Sequence, residues 1–128
     1  MQFTFEVDLV KEILNQILKA AKILEKRFSV VRSPEDFVIS EQGLEKLDAI
    51  CMQLIAIGES VKNVDKITRG ELLINYPEVP WKQVMGMRDI LSHHYFDMDA
   101  EVVYTVCSEH IPILIQILEK ILLDIEKS

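Results

Sequence analysis

Along positions 81 to 96 an arginine, two histidines and a tyrosine are interleaved with apolar residues: Trp81-Lys82-Gln83-Val84-Met85-Gly86-Met87-Arg88-Asp89-Ile90-Leu91-Ser92-His93-His94-Tyr95-Phe96. An imidazole such as that of His93 can exchange a proton near neutral pH, and the planar fork of Arg88 keeps its charge and suits phosphate oxygens. Together they fit cleavage of RNA without a metal. In that reaction the 2′-hydroxyl attacks the adjacent phosphate, which calls for a proton acceptor, a proton donor and stabilisation of a crowded anion. At roughly 100° per residue, positions five apart lie about 140° apart around an ideal helix, so Arg88 and His93 do not share a face of one continuous helix. Either the helix ends or bends there, or the working site combines two chains, with a second histidine as the partner acid. The two-fold site is the preferred expectation.

The spacing Arg88-x-x-x-x-His93-x-Tyr95 resembles the signature of the HEPN superfamily, in particular its HepT-like ribonuclease toxins, which are paired with small nucleotidyltransferase antitoxins. The likeness continues in Leu54-Ile55-Ala56-Ile57-Gly58-Glu59-Ser60-Val61-Lys62 and in Tyr76-Pro77-Glu78-Val79-Pro80-Trp81, and covers roughly residues 40 to 115. The resemblance implies an RNA-cutting dimer with two motifs facing one another, Arg88 and His93 as catalytic residues, and no cofactor. It also implies that Tyr95 accepts AMP from the partner enzyme, which silences the nuclease. On an extended backbone, side chains two apart point the same way, so a nucleotide on Tyr95 crowds His93 and repels substrate phosphate. Tyr95 as a structural anchor of its loop is the other open reading. This chain departs from many versions of the motif in carrying Asp89 beside the arginine, where it either orients or partly neutralises Arg88. Glu59 either hydrogen-bonds Arg88 from the facing helix, the preferred reading, or is a solvated charge on the outer face, and His94 is a supporting residue or simply solvated.

The elements that must position these groups read as helices. Val10, Ile13, Leu14, Ile17, Leu18, Ala21, Leu24 and Phe28 recur every three or four residues and predict an amphipathic helix from about 6 to 28. Ser33, with Pro34 next, predicts a short turn near 34 to 38, and Ser40 caps a second long helix with Leu44, Leu47, Ile50, Cys51, Leu54, Ile55, Gly58, Val61 and Val64 facing inward. Gly58 inside that helix costs roughly 1 kcal/mol relative to alanine, so something is expected to pack closely there. Thr68-Arg69-Gly70-Glu71 has the pattern of a capping box and predicts a short helix ending before Tyr76-Pro77. A further helix is expected from 81 to about 92, another capped by Asp97 or Asp99 and running to about 107, and a last one capped by Ser108 with Pro112 in its first turn. That last helix has more apolar residues than one face can hold, so it is central or covered by another subunit. No segment alternates with period two over a useful length. The expected fold is all-α, an antiparallel HEPN-like bundle of four or five helices in one domain spanning 1 to 128, assembled as a homodimer.

Composition sets the remaining bounds. The chain is 128 residues long, 49% hydrophobic and 27% charged, with a net charge of −7, which argues against indiscriminate nucleic-acid binding and against DNA as a partner. Lys19, Lys22 and Lys26 recur at helical spacing and form a candidate strip for an RNA backbone; complementing a helix dipole is the alternative. Cys51 and Cys107 read as reduced core thiols. His110 reads as a helix-start residue, and Trp81, Met52, Met85 and Met87 as core or interface filling. His93 and His94 lack a third ligand at suitable spacing, so no metal site is expected. The chain start lacks a signal-peptide pattern and no run is long enough to span a bilayer, giving a cytoplasmic expectation without membrane partners. A non-catalytic subunit that binds nucleotide or substrate for a separate nucleotidyltransferase is the alternative function.

Overall fold

The computed structural model describes residues 5–92 and 100–127, and among them no strand occurs. Helix α1 spans Val7–Phe28 and buries Val10, Leu14, Ile17, Ala21 and Leu24, the three-and-four spacing of one helical stripe; Lys26 and Arg27 in its last turn complement the dipole. A 3-10 turn, Pro34–Phe37, follows with Ser33 before it and the proline at its start. Phe37 is fully buried, and the Phe28 ring packs against both Phe37 and Tyr104, with centroids 6.4 and 5.1 Å away. Helix α2, Glu41–Ile67, starts where expected: the Ser40 hydroxyl accepts the Gly43 amide at 3.0 Å. Its inward face differs at three positions, since Leu44 is exposed while Gly43 sits inward beside the 3-10 turn, and Ile57 is buried.

The Thr68-Arg69-Gly70-Glu71 signal closes a helix instead of opening one. Thr68 is fully buried and its hydroxyl donates back to the Val64 carbonyl at 2.9 Å. Arg69 and Gly70 have φ of 56° and 73°, and the Gly70 amide reaches the Asp65 carbonyl at 2.9 Å. This left-handed exit with a glycine satisfies carbonyls that the last turn leaves unpaired. Only a 3-10 turn, Leu73–Asn75, stands where the short helix was expected.

The helix expected from 81 to about 92 is two pieces, α3 (Trp81–Met85) and α4 (Met87–Ser92), joined at Gly86. The caps expected at Asp97 and Asp99 lie outside the described residues. Helix α5, Ala100–Thr105, runs into a π turn, Val106–His110, and on into α6, Ile111–Glu126. Ser108 is therefore inside a wide turn and not at a cap. Pro112 supplies the reason: its ring clashes with a carbonyl one turn back and it has no amide to donate, strains that a wider turn relieves.

Ion pairs fix the directions of packing. Lys11 meets Glu126 and Lys22 meets Glu119, both at 3.7 Å, so α6 runs antiparallel to α1. The Lys46 ammonium reaches the Arg27 carbonyl at 3.4 Å, which sets the start of α2 beside the end of α1. Leu14, Ile17, Leu54, Val61, Leu118 and Ile121, each nearly inaccessible, form the centre of this all-α bundle. The surplus apolar surface of α6 divides accordingly, with Leu114, Leu118 and Ile121 in the core and Ile113 and Leu123 exposed. No helix among the described residues is long and apolar enough to cross a membrane.

Both cysteines are buried and carry thiols. Burial, helped by Asp48, pushes Cys51 up from 9.0 to about 11; burial, with Cys51 nearby, pushes Cys107 up from 9.0 to about 12. Because the folded values lie above the unfolded one, the protonated thiols' contribution to stability is whole below pH 9 and is lost as pH rises through 11 to 12. A thiol reagent at pH 8 should therefore label neither cysteine in the native protein and both in denaturant, and the denaturation midpoint should fall above pH 9.

Candidate active site

The site is built outward from one close approach. A Cβ placed on Gly58 of α2 would stand 2.5 Å from the Val84 carbonyl oxygen and 3.1 Å from the Met87 Cβ, so α2 touches the α3–α4 arm nearly backbone to backbone. Sequence reasoning expected a close neighbour here, and the α3–α4 arm is that neighbour. Ile57, on one side of the glycine, is buried in the core. Glu59, on the other, forms an ion pair with Arg88, its Oε1 lying 2.8 Å from Nε. The Ile-Gly-Glu run thus has a physical meaning: an anchor, a gap that lets the arm come close, and a carboxylate that meets the arginine.

Arg88 sits in the first turn of α4 with 63% of its side chain exposed, and Glu59 is 40% exposed. A guanidinium carries five N–H donors and one carboxylate engages at most two, which leaves the remaining donors for an anionic ligand. Exposed ion pairs of this kind add little stability, commonly below about 1 kcal/mol, so the pair matters for aim more than for holding the fold. Asp89, the departure noted above, stands exposed, and the carboxylate that Arg88 meets is that of Glu59. His93, His94 and Tyr95 lie outside the described residues.

A second set of contacts holds the arm from behind. The Tyr76 hydroxyl donates to Asp124 Oδ2 on α6 at 2.7 Å, while the Trp81 indole N–H donates to the Tyr76 carbonyl at 2.8 Å. Burial and then the Asp124 hydrogen bond push the Tyr76 hydroxyl well above its ordinary range, so it stays a donor. Lys120 lies 5.8 Å from the Tyr76 ring centroid and pairs with Glu78 at 3.6 Å. Sequence reasoning placed Tyr76 in a motif and did not find this role. Its partner is 48 residues away, with no local signal linking the two.

Beside Arg88, an apolar groove of about 210 Å³ runs between the arm and the α5–α6 segment. Met87 and Ile90, the arginine's near neighbours in α4, line one wall, and Val102, Val106 and Ile113 line the other. Ile90, Val102 and Ile113 are each more than two-fifths exposed. The lysine strip lies elsewhere: Lys19, Lys22 and Lys26 line a shallow, open depression on α1 with Asn15 and Ile23, and Lys22 is paired with Glu119 of α6. No described contact joins the strip to Arg88.

Fold and site thus define an all-α bundle that presents a guanidinium, held by a carboxylate, at its surface. The family model of HepT-like ribonucleases matches residues 17–121, and the chain belongs to that family. It is 33% identical over 106 residues to a "Putative RNase" of Methanocaldococcus jannaschii, an alignment covering 81% of this chain and 84% of that protein. A second "Putative RNase" of the same organism is 40% identical over 92 residues, 72% of this chain and 70% of the relative. The "Probable ribonuclease HepT" of Thermococcus cleftensis is 32% identical over 104 residues, 81% and 87% of the two chains. No solved structure matches the chain.

Gly58→Ala tests the close approach. The substitution gains about 1 kcal/mol of helix propensity, but pushing α3 off α2 costs roughly 1–3 kcal/mol. A lower melting temperature is expected by calorimetry; an unchanged or higher one would show that the arm yields freely.

Proposed function

We propose that this chain is a metal-independent endoribonuclease, the toxin of a toxin–antitoxin pair, acting as a homodimer on RNA in the cytoplasm. The observation that carries the reading is Arg88, exposed and held by Glu59 in a HepT-like chain. Arg88 binds the non-bridging oxygens of the scissile phosphate and neutralises the charge that builds there. His93 takes the proton from the 2′-hydroxyl as its oxygen bonds to phosphorus. The phosphorus–O5′ bond breaks, and an imidazolium, His93 of the second copy, returns a proton to the departing oxygen, leaving a cyclic phosphate and a 5′-hydroxyl. Positions five apart, as 88 and 93 are, lie about 140° apart on an ideal helix, which supports a site shared by two copies. The groove beside Arg88, with Ile90, Val102 and Ile113 exposed, fits the apolar seam such a dimer needs. Asp89 and His94 flank the reacting groups, and Lys19 and Lys26 give a more distant hold on the RNA backbone. Tyr95 is the acceptor of AMP from a nucleotidyltransferase antitoxin, which places a bulky anion next to His93.

Arg88→Ala and His93→Ala should each lower RNA cleavage in a chelator-containing buffer by at least about 100-fold, and remove growth inhibition, with melting temperature unchanged. Full activity in both variants rules the reading out, and RNA that is bound but left whole by the wild type indicates a non-catalytic binding subunit.

Ile113→Glu changes only an exposed position and should leave the helical content intact while converting the dimer to an inactive monomer. Light scattering after size exclusion reads the mass; a wild-type monomer that cleaves RNA would overturn the shared site.

A further inference from the structure

We infer that Tyr76 and Asp124 are positioning residues for the RNA-cleaving site, acting on Arg88 through the α3–α4 arm; this rests on the role proposed for Arg88 above. The arm is short, and its two pieces are joined at Gly86, where the helix is interrupted. Such an arm cannot set the direction of a side chain on its own. It is held at both ends. At the far end Glu59 meets the guanidinium, and Gly58 lets α2 lie against Val84 and Met87. At the near end the first residue of α3, Trp81, is tied through its indole to the Tyr76 carbonyl, and the Tyr76 hydroxyl is tied to Asp124.

Asp124 belongs to α6, where its neighbours Ile121 and Ile125 are buried in the core, so the clasp ties the arm to a helix seated in the core. Tyr76 is itself 6% exposed and Trp81 8%; the indole bond to the Tyr76 carbonyl is buried and shielded from water, and the bond to Asp124 is partly buried. Loss of the hydroxyl leaves the Asp124 carboxylate without this partner and frees the start of α3 to shift. A displacement near 1 Å is enough to lower a rate by about 100-fold when a charged group must meet a developing anion.

The test is a double-mutant cycle on single-turnover cleavage at saturating RNA, using wild type, Tyr76→Phe, Arg88→Lys and the double variant, with melting temperatures above the assay temperature. Tyr76→Phe is expected to slow cleavage about 10- to 100-fold while RNA affinity stays within about twofold. In the Arg88→Lys background it should add less than about twofold, because the group it aims is already replaced. Asp124→Ala, which leaves the tyrosine in place, should give the same pattern and covers the case in which Tyr76→Phe folds poorly. Cleavage within about twofold of wild type in both clasp variants overturns the inference, as does an equal loss in the wild-type and Arg88→Lys backgrounds, the mark of a general structural role. If Arg88→Lys and Arg88→Ala leave the rate untouched, the functional reading itself fails and the clasp has nothing to aim.

Discussion

The site depends on how near one helix backbone can come to another. At Gly58 the separation between α2 and the α3–α4 arm is set by a carbonyl oxygen facing a bare α-carbon, leaving no room for even a methyl group. That closeness is what brings Glu59 within 2.8 Å of Arg88. A larger residue at 58 would hold the arm away, and the longest reach available to the glutamate would no longer meet the inner nitrogen of the arginine squarely. The chain accepts the cost of a mid-helix glycine in exchange for a charged group placed on the surface with a defined direction.

The stability of the molecule lies elsewhere, in the interleaved aliphatic faces of α1, α2 and α6, and this division has functional sense. The core helices are long and pack through apolar inner faces, and their registers are fixed by many contacts, so they act as a frame. The arm is short and broken, touches the frame through α2, and is linked to α6 through Tyr76. Arg88, the group proposed to act on RNA, sits on the part whose geometry can be tuned by one or two contacts without loosening the core.

Much of this was legible in the chain. Alternating three- and four-residue apolar spacing placed α1 nearly to the residue, Ser40 marked the start of α2, and the spacing from Arg88 to His93 and Tyr95 pointed to the family that the comparisons show. The failures share a cause: local signals are ambiguous when the same residue types serve opposite ends of a helix. Thr68 and Gly70 looked like a start and form an exit, because the glycine is needed for its left-handed backbone and the threonine hydroxyl turns back to Val64. Ser108 looked like a cap and lies within a turn widened by Pro112. Leu44 was assigned to the inner face by periodicity, which cannot see that Gly43 lies beside the neighbouring turn. The Tyr76–Asp124 contact joins residues distant in sequence, and pattern alone carries no trace of it.

The wide turn at Val106–His110 has a consequence for how this scaffold can diverge. A π turn holds one residue more than the regular helix around it, and one residue corresponds to about 100° of rotation. The wide turn takes up that residue within itself, so Val102 of α5 and Ile113 of α6 keep the faces they would have in an uninterrupted helix one residue shorter, and both line the groove. The groove wall can thus lose or regain one residue at this turn with its faces unchanged, whereas the same change within regular winding would rotate α5 by about 100°.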